Sequence, residues 1–306
     1  MLSSAGHTKQ RKTFSGFGSA LYAFFIKYEF WQNYLNELQR RNIPVYSVSS
    51  IFRKEQIFFR WYGKSYRKVL NTFTHLFVQD EASVQLLRTI GITNTTVVGD
   101  TRFDRVLEIC RQAKELPLVE KFKGNHTAFV AGSSWGPDED IFIPYLNTHP
   151  EVKLIIAPHV IDESHLKEIT GKLNRTVVRY TQATEERVKE ADCLLIDCFG
   201  LLSSIYRYGE IAYIGGGFGV GIHNVLEAAV YGMPVIFGPN NKRFREAQGL
   251  LQCKGGFEIQ GAEDFKKIMD NFLNNYEALD KAGKKAGNYV RDNAGALEKI
   301  MHTVTL

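Results

Sequence analysis

Short apolar runs alternate along the chain with polar stretches whose hydrophobic residues recur at helical spacing, the pattern of repeated strand-helix units. In the first third, runs at residues 21–27, 44–48, 75–78 and 95–98 predict strands. Phe30, Tyr34, Leu35 and Leu38 mark a helix after the first of these, and residues 81–90 and 103–114 predict two more, the former ended by Gly91. Beyond residue 126 the alternation becomes regular, with strands predicted at 127–131, 152–157, 176–179, 193–196, 211–214 and 234–237. Such repeats with short connections imply parallel sheets covered on both faces. The pattern therefore predicts an α/β fold with two Rossmann-like parallel sheets facing a cleft, ligands sitting at the carboxyl ends of the strands. Residues 115–126, with Pro117, Gly124 and a charge-rich middle, read as the linker between the halves.

Two stretches do not reduce to this alternation. Residues 51–70 mix Phe52, Phe58, Phe59, Trp61, Tyr62 and Tyr66 with Arg53, Lys54, Arg60, Lys64, Arg67 and Lys68. They form either a segment that lays aromatics into a membrane interface while its cations meet lipid phosphates, or a core helix with a solvated basic edge. Residues 213–239 read as strand, glycine-rich loop, short helix, strand. Gly215, Gly216, Gly217, Gly219 and Gly221 lead to a helix expected to start at Asn224, a good N-cap, and to end at Gly232. Free backbone amides feeding a helix start make an anion site, commonly for phosphate, although the same glycines also suit a tight turn. His223, Asn224 and Glu227 crowd that helix start. Glu227 either complements the helix dipole or accepts hydrogen bonds from a ribose diol.

The other strand ends of the second half also carry ligand-like residues. Ser133 and Ser134 follow its first strand, Pro158 and His159 its second, and Asp197, Cys198, Phe199, Gly200 and Leu201 the strand at 193–196. Asp138, Glu139 and Asp140 resemble a metal-binding triplet, but they follow Pro137 at a helix start, where acidic residues are expected anyway. HExxH, GxSxG and Walker lysine patterns are absent, so neither a metal nor a cofactor is expected.

Composition narrows the picture further. A chain of 306 residues is long enough for two domains, and 44% hydrophobic with 23% charged residues is ordinary for a globular protein. The net charge of +5 suits anionic ligands or an anionic membrane surface and does not require nucleic acid. Cys110, Cys193, Cys198 and Cys253 form no CxxC pair and read as reduced core residues. No apolar run reaches the roughly 18 residues needed to span a bilayer.

The segments KYEFW, VQDEAS, GDTRFD, AGSSWGPDED, APH, DCFGLL, GGGFGVGIHNVLEAA and VIFGPNNKRF occur in this order. In that series the chain closely resembles the 3-deoxy-D-manno-octulosonic acid (Kdo) transferases of lipopolysaccharide synthesis, over nearly everything after residue 24 and most closely members of the Bacteroidetes type. The resemblance implies the GT-B architecture and transfer of Kdo from CMP-Kdo to the lipid A precursor, with inversion, at the cytoplasmic face of the bacterial inner membrane. The donor is then a substrate, and no cofactor is implied.

By motif, the resemblance assigns transition-state stabilisation to Glu29 and Arg102, the latter standing where the family commonly has Lys. It assigns CMP contacts to Pro158 and His159, to Phe199, Gly200 and Leu201, and to Asn224, Val225, Leu226 and Glu227. Ser133, Ser134, Gly217 and His223 complete the candidate donor site. Many members have Arg at the place of His159 and Glu at that of Leu201. The resemblance divides the chain into an unmatched leader at 1–23, a partial acceptor-side domain at 24–114, the linker at 115–126 and a donor-binding domain at 127–306. The first domain is expected to be incomplete, because the family's Ser-x-Gly-Glu segment with its general-base glutamate has no counterpart here. A catalytically silent CMP-binding fragment and a GT-B enzyme using another sugar nucleotide are the alternatives.

Overall fold

The computed structural model describes residues 20–304, so the leader expected at 1–23 lies almost wholly outside the described residues. The chain forms two compact units, Met1–Thr101 with Gly295–Leu306, and Arg102–Ala294.

The first unit is built on four parallel strands that pair in chain order, β1 (Ala23–Ile26), β2 (Val45–Ser50), β3 (His75–Val78) and β4 (Thr95–Val97). Helices α1 (Gln32–Arg40), α2 (Lys64–Leu70) and α3 (Glu81–Arg88) connect them. Leu35 and Leu38 of α1 pack with Val45, Leu70, Leu76 and Leu87 in its core, as their helical spacing requires. Residues 51–70 do not form one helix. Two short 3-10 turns, Ile57–Phe59 and Trp61–Gly63, precede α2. A Cβ at Gly63 would lie 1.7 Å from the Ile57 carbonyl oxygen. The segment therefore folds back on itself there, and Arg67 Nε fastens the fold-back by donating to the Phe58 carbonyl at 2.8 Å. Phe52 and Phe58 enter the core, whereas Trp61, Tyr62 and Tyr66 stay exposed.

The second unit opens with α4 (Thr101–Arg111), whose first residue is the last of the first unit, and α5 (Pro117–Lys123). The segment expected as a linker is thus corrected to a helix: Val119 and Phe122 lie fully inside the core of this unit. The boundary falls at residue 101 instead. Next come β5 (Thr127–Ser134), α6 (Gly136–Asn147), β6 (Val152–Pro158), α7 (Glu163–Lys172), β7 (Val177–Arg179), α8 (Glu185–Glu190) and β8 (Cys193–Leu195). The remainder is α9 (Leu202–Ile205), β9 (Ile211–Ile214), α10 (Leu226–Ala229), β10 (Val235–Phe237), α11 (Arg245–Cys253), β11 (Gly256–Glu258), α12 (Ala262–Asn274) and α13 (Tyr276–Asp292). The seven strands are parallel in the order β11-β10-β9-β5-β6-β8-β7. Alternate residues feed two cores, Val130, Ile155, Ala212 and Val235 on one face, Phe129, Leu154, Tyr213 and Ile236 on the other. The strands are consequently buried on both faces, which explains their near-continuous apolar sequences.

The last helix, α14 (Ala296–Thr303), belongs to the first unit. Its Ala296 and Ile300, with Val304, pack on Val48, Phe77 and Val98. The expected second domain, 127–306, therefore ends at residue 294 and begins at residue 102.

Candidate donor site

In the second sheet the chain leaves β5 toward β6 on one side and later returns to β9 on the other. The strand order thus reverses between β5 and β9, the place where open α/β sheets open a crevice at their carboxyl ends. Ser133 and Ser134 end β5, Pro158 ends β6, and the glycine-rich loop follows β9. Ser133 holds a positive φ of 52° and interrupts the β5-β6 register, so the strand turns before Trp135.

Three rings gather at this edge. The Trp135 indole stacks on His159 with centroids 4.5 Å apart, and His159 stacks on His223 at 4.4 Å. Trp135 Nε1 donates to His223 Nε2 at 3.3 Å. The acceptor nitrogen must carry a lone pair, so this bond selects a neutral His223 with its proton on Nδ1. Burial, with the neighbouring His159, pushes its pKa below the usual histidine value in agreement. His159 itself is exposed, its amide donating to the Ser134 carbonyl at 2.9 Å.

The glycine-rich loop is not the open cradle of amides expected from its sequence. Gly215 N donates to Gly132 O, Gly216 N to Asp138 Oδ2 at 2.8 Å, Gly219 N and Gly221 N to Gly216 O, and His223 N to Gly215 O. A Cβ at Gly215 would meet Ser133 O at 2.2 Å, and one at Gly217 would meet Gly238 N at 2.5 Å. Two of the glycines thus let backbone approach backbone, and Gly217 is buried against Gly238. Asp138, 1% exposed, ties the loop down by also accepting from Tyr213 Oη at 2.8 Å and Trp135 N at 3.0 Å.

The helix after this loop is shorter than expected. It begins at Leu226 with Val225 as N-cap, one residue past Asn224, and ends at Ala229 before Gly232 at φ 77°. Asn224 Oδ1 accepts from Leu226 N at 3.2 Å, while its Nδ2 donates to Glu227 Oε1 at 2.9 Å. Asn224 is exposed and Glu227 half-buried, and burial raises the Glu227 pKa. The side chains of Val225 and Leu226 are fully buried in the core, which leaves them only backbone atoms to offer a ligand. After β8, Phe199 is 80% exposed, Gly200 turns at φ 84°, and Leu201 packs on the core.

Glu29 lies in the first unit, exposed just after β1. Arg102, on the first turn of α4, is held bidentately by Glu246 of α11, at 2.6 and 3.0 Å. Glu246 is 5% exposed, so the guanidinium has a fixed plane and a neutralising partner. The sequence reading missed Glu246, and it weighed Asp138 and Glu139 only as metal ligands or helix-start residues. In fact Asp138 and Glu139 are buried, bonding inward, and Asp140 pairs with Lys172. Among the described residues no group of three or more His, Cys, Asp or Glu is arranged to hold a metal ion.

Comparison with known proteins agrees with this architecture. Residues 12–105 match the family described as 3-Deoxy-D-manno-octulosonic-acid transferase (kdotransferase). The 3-deoxy-D-manno-octulosonic acid transferase of Rickettsia bellii is 25% identical over 92% of this chain and 69% of its own length. That of Rickettsia typhi is 26% identical over 92% and 62%, and that of Aquifex aeolicus 29% identical over 69% and 57%. The chain thus spans roughly three fifths to two thirds of the length of these relatives. Among solved structures, the C-terminal CMP-Kdo binding domain of WaaA from Acinetobacter baumannii superposes with a TM-score of 0.50 at 20% identity, over 62% of this chain and 97% of that one. MnaA of S. aureus with UDP gives a TM-score of 0.53 at 12% identity, over 89% and 73%. These likenesses place both parallel sheets in the GT-B class of α/β folds, and in sequence the chain is similar to 3-deoxy-D-manno-octulosonic acid transferases over most of its length.

Proposed function

We propose that the chain acts in lipopolysaccharide biosynthesis as a glycosyltransferase, moving Kdo from CMP-Kdo to the lipid A precursor. The observation that carries this reading is that an exposed ring, a half-buried carboxylate and two stacked imidazoles all follow strands at the carboxyl edge of the second sheet, the imidazoles at its switch point, in a chain similar to Kdo transferases. Each matches one part of a cytidine monophosphate. Phe199 offers a face for the base, and Glu227, oriented by Asn224, accepts from the ribose diol. The His223 Nδ1–H, the His159 ring and the Ser133 group serve the phosphate; Ser134, fully buried with its hydroxyl given to Glu139, supports the loop from behind. The acceptor hydroxyl, releasing its proton to solvent water since no general base of this chain is assigned, attacks the anomeric carbon opposite the departing CMP, so configuration inverts. The bond to the phosphate oxygen breaks as the new glycosidic bond forms. Negative charge building on CMP is met by protein donors, for which Arg102 is the candidate, while the carboxylate of Glu29, which can only accept, suits positive charge developing at the anomeric carbon.

Incubation with CMP-Kdo and a lipid A precursor should yield a Kdo-bearing lipid and free CMP. CMP binding without transfer would instead favour a donor-binding role, and tighter binding of UDP than CMP a different sugar nucleotide.

The acceptor is a lipid, and the first unit has a surface suited to reach it. Trp61, 89% exposed, stands with Tyr62 and Tyr66 among Arg60, Lys64 and Lys68. Among the described residues no helix is long and apolar enough to cross a membrane. Aromatics with interleaved cations suit an anionic interface, and this surface is the one we assign to the cytoplasmic face of the inner membrane. Binding to anionic vesicles at low salt, lost on Trp61→Ser, is the expected result. Equal binding of the variant would remove this surface from the reading.

A further inference from the structure

Behind the ring cluster lies a buried ion pair that the proposed transfer does not use. Glu139 of α6 is fully buried, and its Oε1 accepts from Ser134 Oγ at 2.9 Å. Its Oε2 lies 3.0 Å from Nε2 of His165 on α7, whose side chain is 13% exposed. The other nitrogen, Nδ1, lies 3.0 Å from the carbonyl oxygen of Val160. Burial raises the Glu139 pKa; when the carboxylate is ionised, it and the carbonyl can only accept, so both ring nitrogens donate and the imidazole carries two protons. The residue preceding Val160 is His159, whose amide donates back to Ser134 O. Ser134, Glu139, His165, Val160 and His159 therefore close a hydrogen-bonded circuit that fixes the loop after β6 to the end of β5.

We propose that Glu139 and His165 are positioning residues, a proton-operated latch that holds the His159 loop in place for the donor's phosphate. A neutral imidazole keeps one N–H, so loss of the proton leaves either the Val160 carbonyl or the Glu139 carboxylate without its donor, and the circuit opens. The groups facing His165 are Glu139 across from α6, Glu168 on its own helix, Asp162 at the start of that helix and the Val160 carbonyl; Lys172 faces Glu139 from α7. Burial, the largest single influence, lowers the His165 pKa, but Glu139, the Val160 carbonyl and Glu168 together outweigh it and hold the value above the ordinary histidine range. The latch is thus complete below the ordinary histidine pKa and is lost as pH rises through the raised one. The link to donor affinity rests on the donor-site reading above; the latch itself does not.

Hydrogen exchange at the His159 amide, measured in the whole ligand-free chain from about pH 6 to 9 and corrected for intrinsic base catalysis, reads the latch directly. Its protection should fall about tenfold, the worth of one hydrogen bond to a charged group, as the His165 imidazole titrates by NMR. Protection within β6 should not change. His165→Gln, uncharged throughout, should show the low value at every pH. If that variant fails to fold, the wild-type chain still decides: His159 protection that stays flat while His165 titrates overturns the latch. CMP affinity measured by calorimetry should weaken by the same factor over the same range, and saturating CMP should raise the His165 titration midpoint. CMP binding at no pH would overturn the donor-site reading and leave the latch to the exchange result. CMP affinity indifferent to pH would overturn the latch's role in the site.

Discussion

The glycine-rich loop after β9 and the segments after β6 and β8 end at the same edge of one sheet, yet they use their polar groups in opposite ways. In the loop, the amides of Gly215, Gly216, Gly219 and Gly221 are bonded within the protein, and Gly215 and Gly217 bring backbone against backbone. In the neighbouring segments His159 and Phe199 face outward. A run of glycines therefore reports close packing of the chain on itself here, and the outward polar and aromatic side chains stand in the segments beside it and in the few residues that follow it, His223, Asn224 and Glu227. This reverses the usual inference from a glycine-rich turn.

The largest effect is expected at Gly215. Gly215→Ala places a Cβ 2.2 Å from the Ser133 carbonyl oxygen, and denaturant unfolding should show a loss of about 3 kcal/mol. A variant as stable as the wild type would mean that the loop has room to move. Phe199→Ala tests the other side. CMP affinity should drop about tenfold by calorimetry, the loss of one stacked base, with an unchanged melting temperature because the ring is exposed. A fall in stability with unchanged affinity would exchange the roles given to the two regions. The smallest effect is expected at Gly219→Ala. Nothing lies within 4 Å of the added Cβ, so unfolding should shift by less than about 0.5 kcal/mol.

Much of the sheet architecture was legible because buried parallel strands are written as apolar runs: residues 75–78 and 211–214 are strands with the expected bounds. β11 was missed because Gly256–Glu258 carries one aromatic between a glycine and a carboxylate and pairs on one side only. The helix at Pro117–Lys123 was hidden by the proline and charges that suggested a linker, although Pro at a helix start is itself a helix signal. At the site, His159 and Phe199 were visible from their places after strands. Glu139 and His165 were not, since a pair 26 residues apart has no local pattern. Only the packing of α6 against α7 brings the carboxylate of one to the imidazole of the other. Glu246 was invisible for the same reason, being 144 residues from Arg102.

The placement of α14 in the first unit has a consequence for how the chain comes apart. Because Ala296, Ile300 and Val304 fill a core with Val48, Phe77 and Val98, the second unit is a closed excursion of the chain, entered near residue 101 and left near residue 294. Releasing it by protease takes two cuts, one at each crossing. A single nick at either place leaves both units covalently joined through the other, whereas removing the last dozen residues strips apolar side chains from the unit that lies at the opposite end of the sequence.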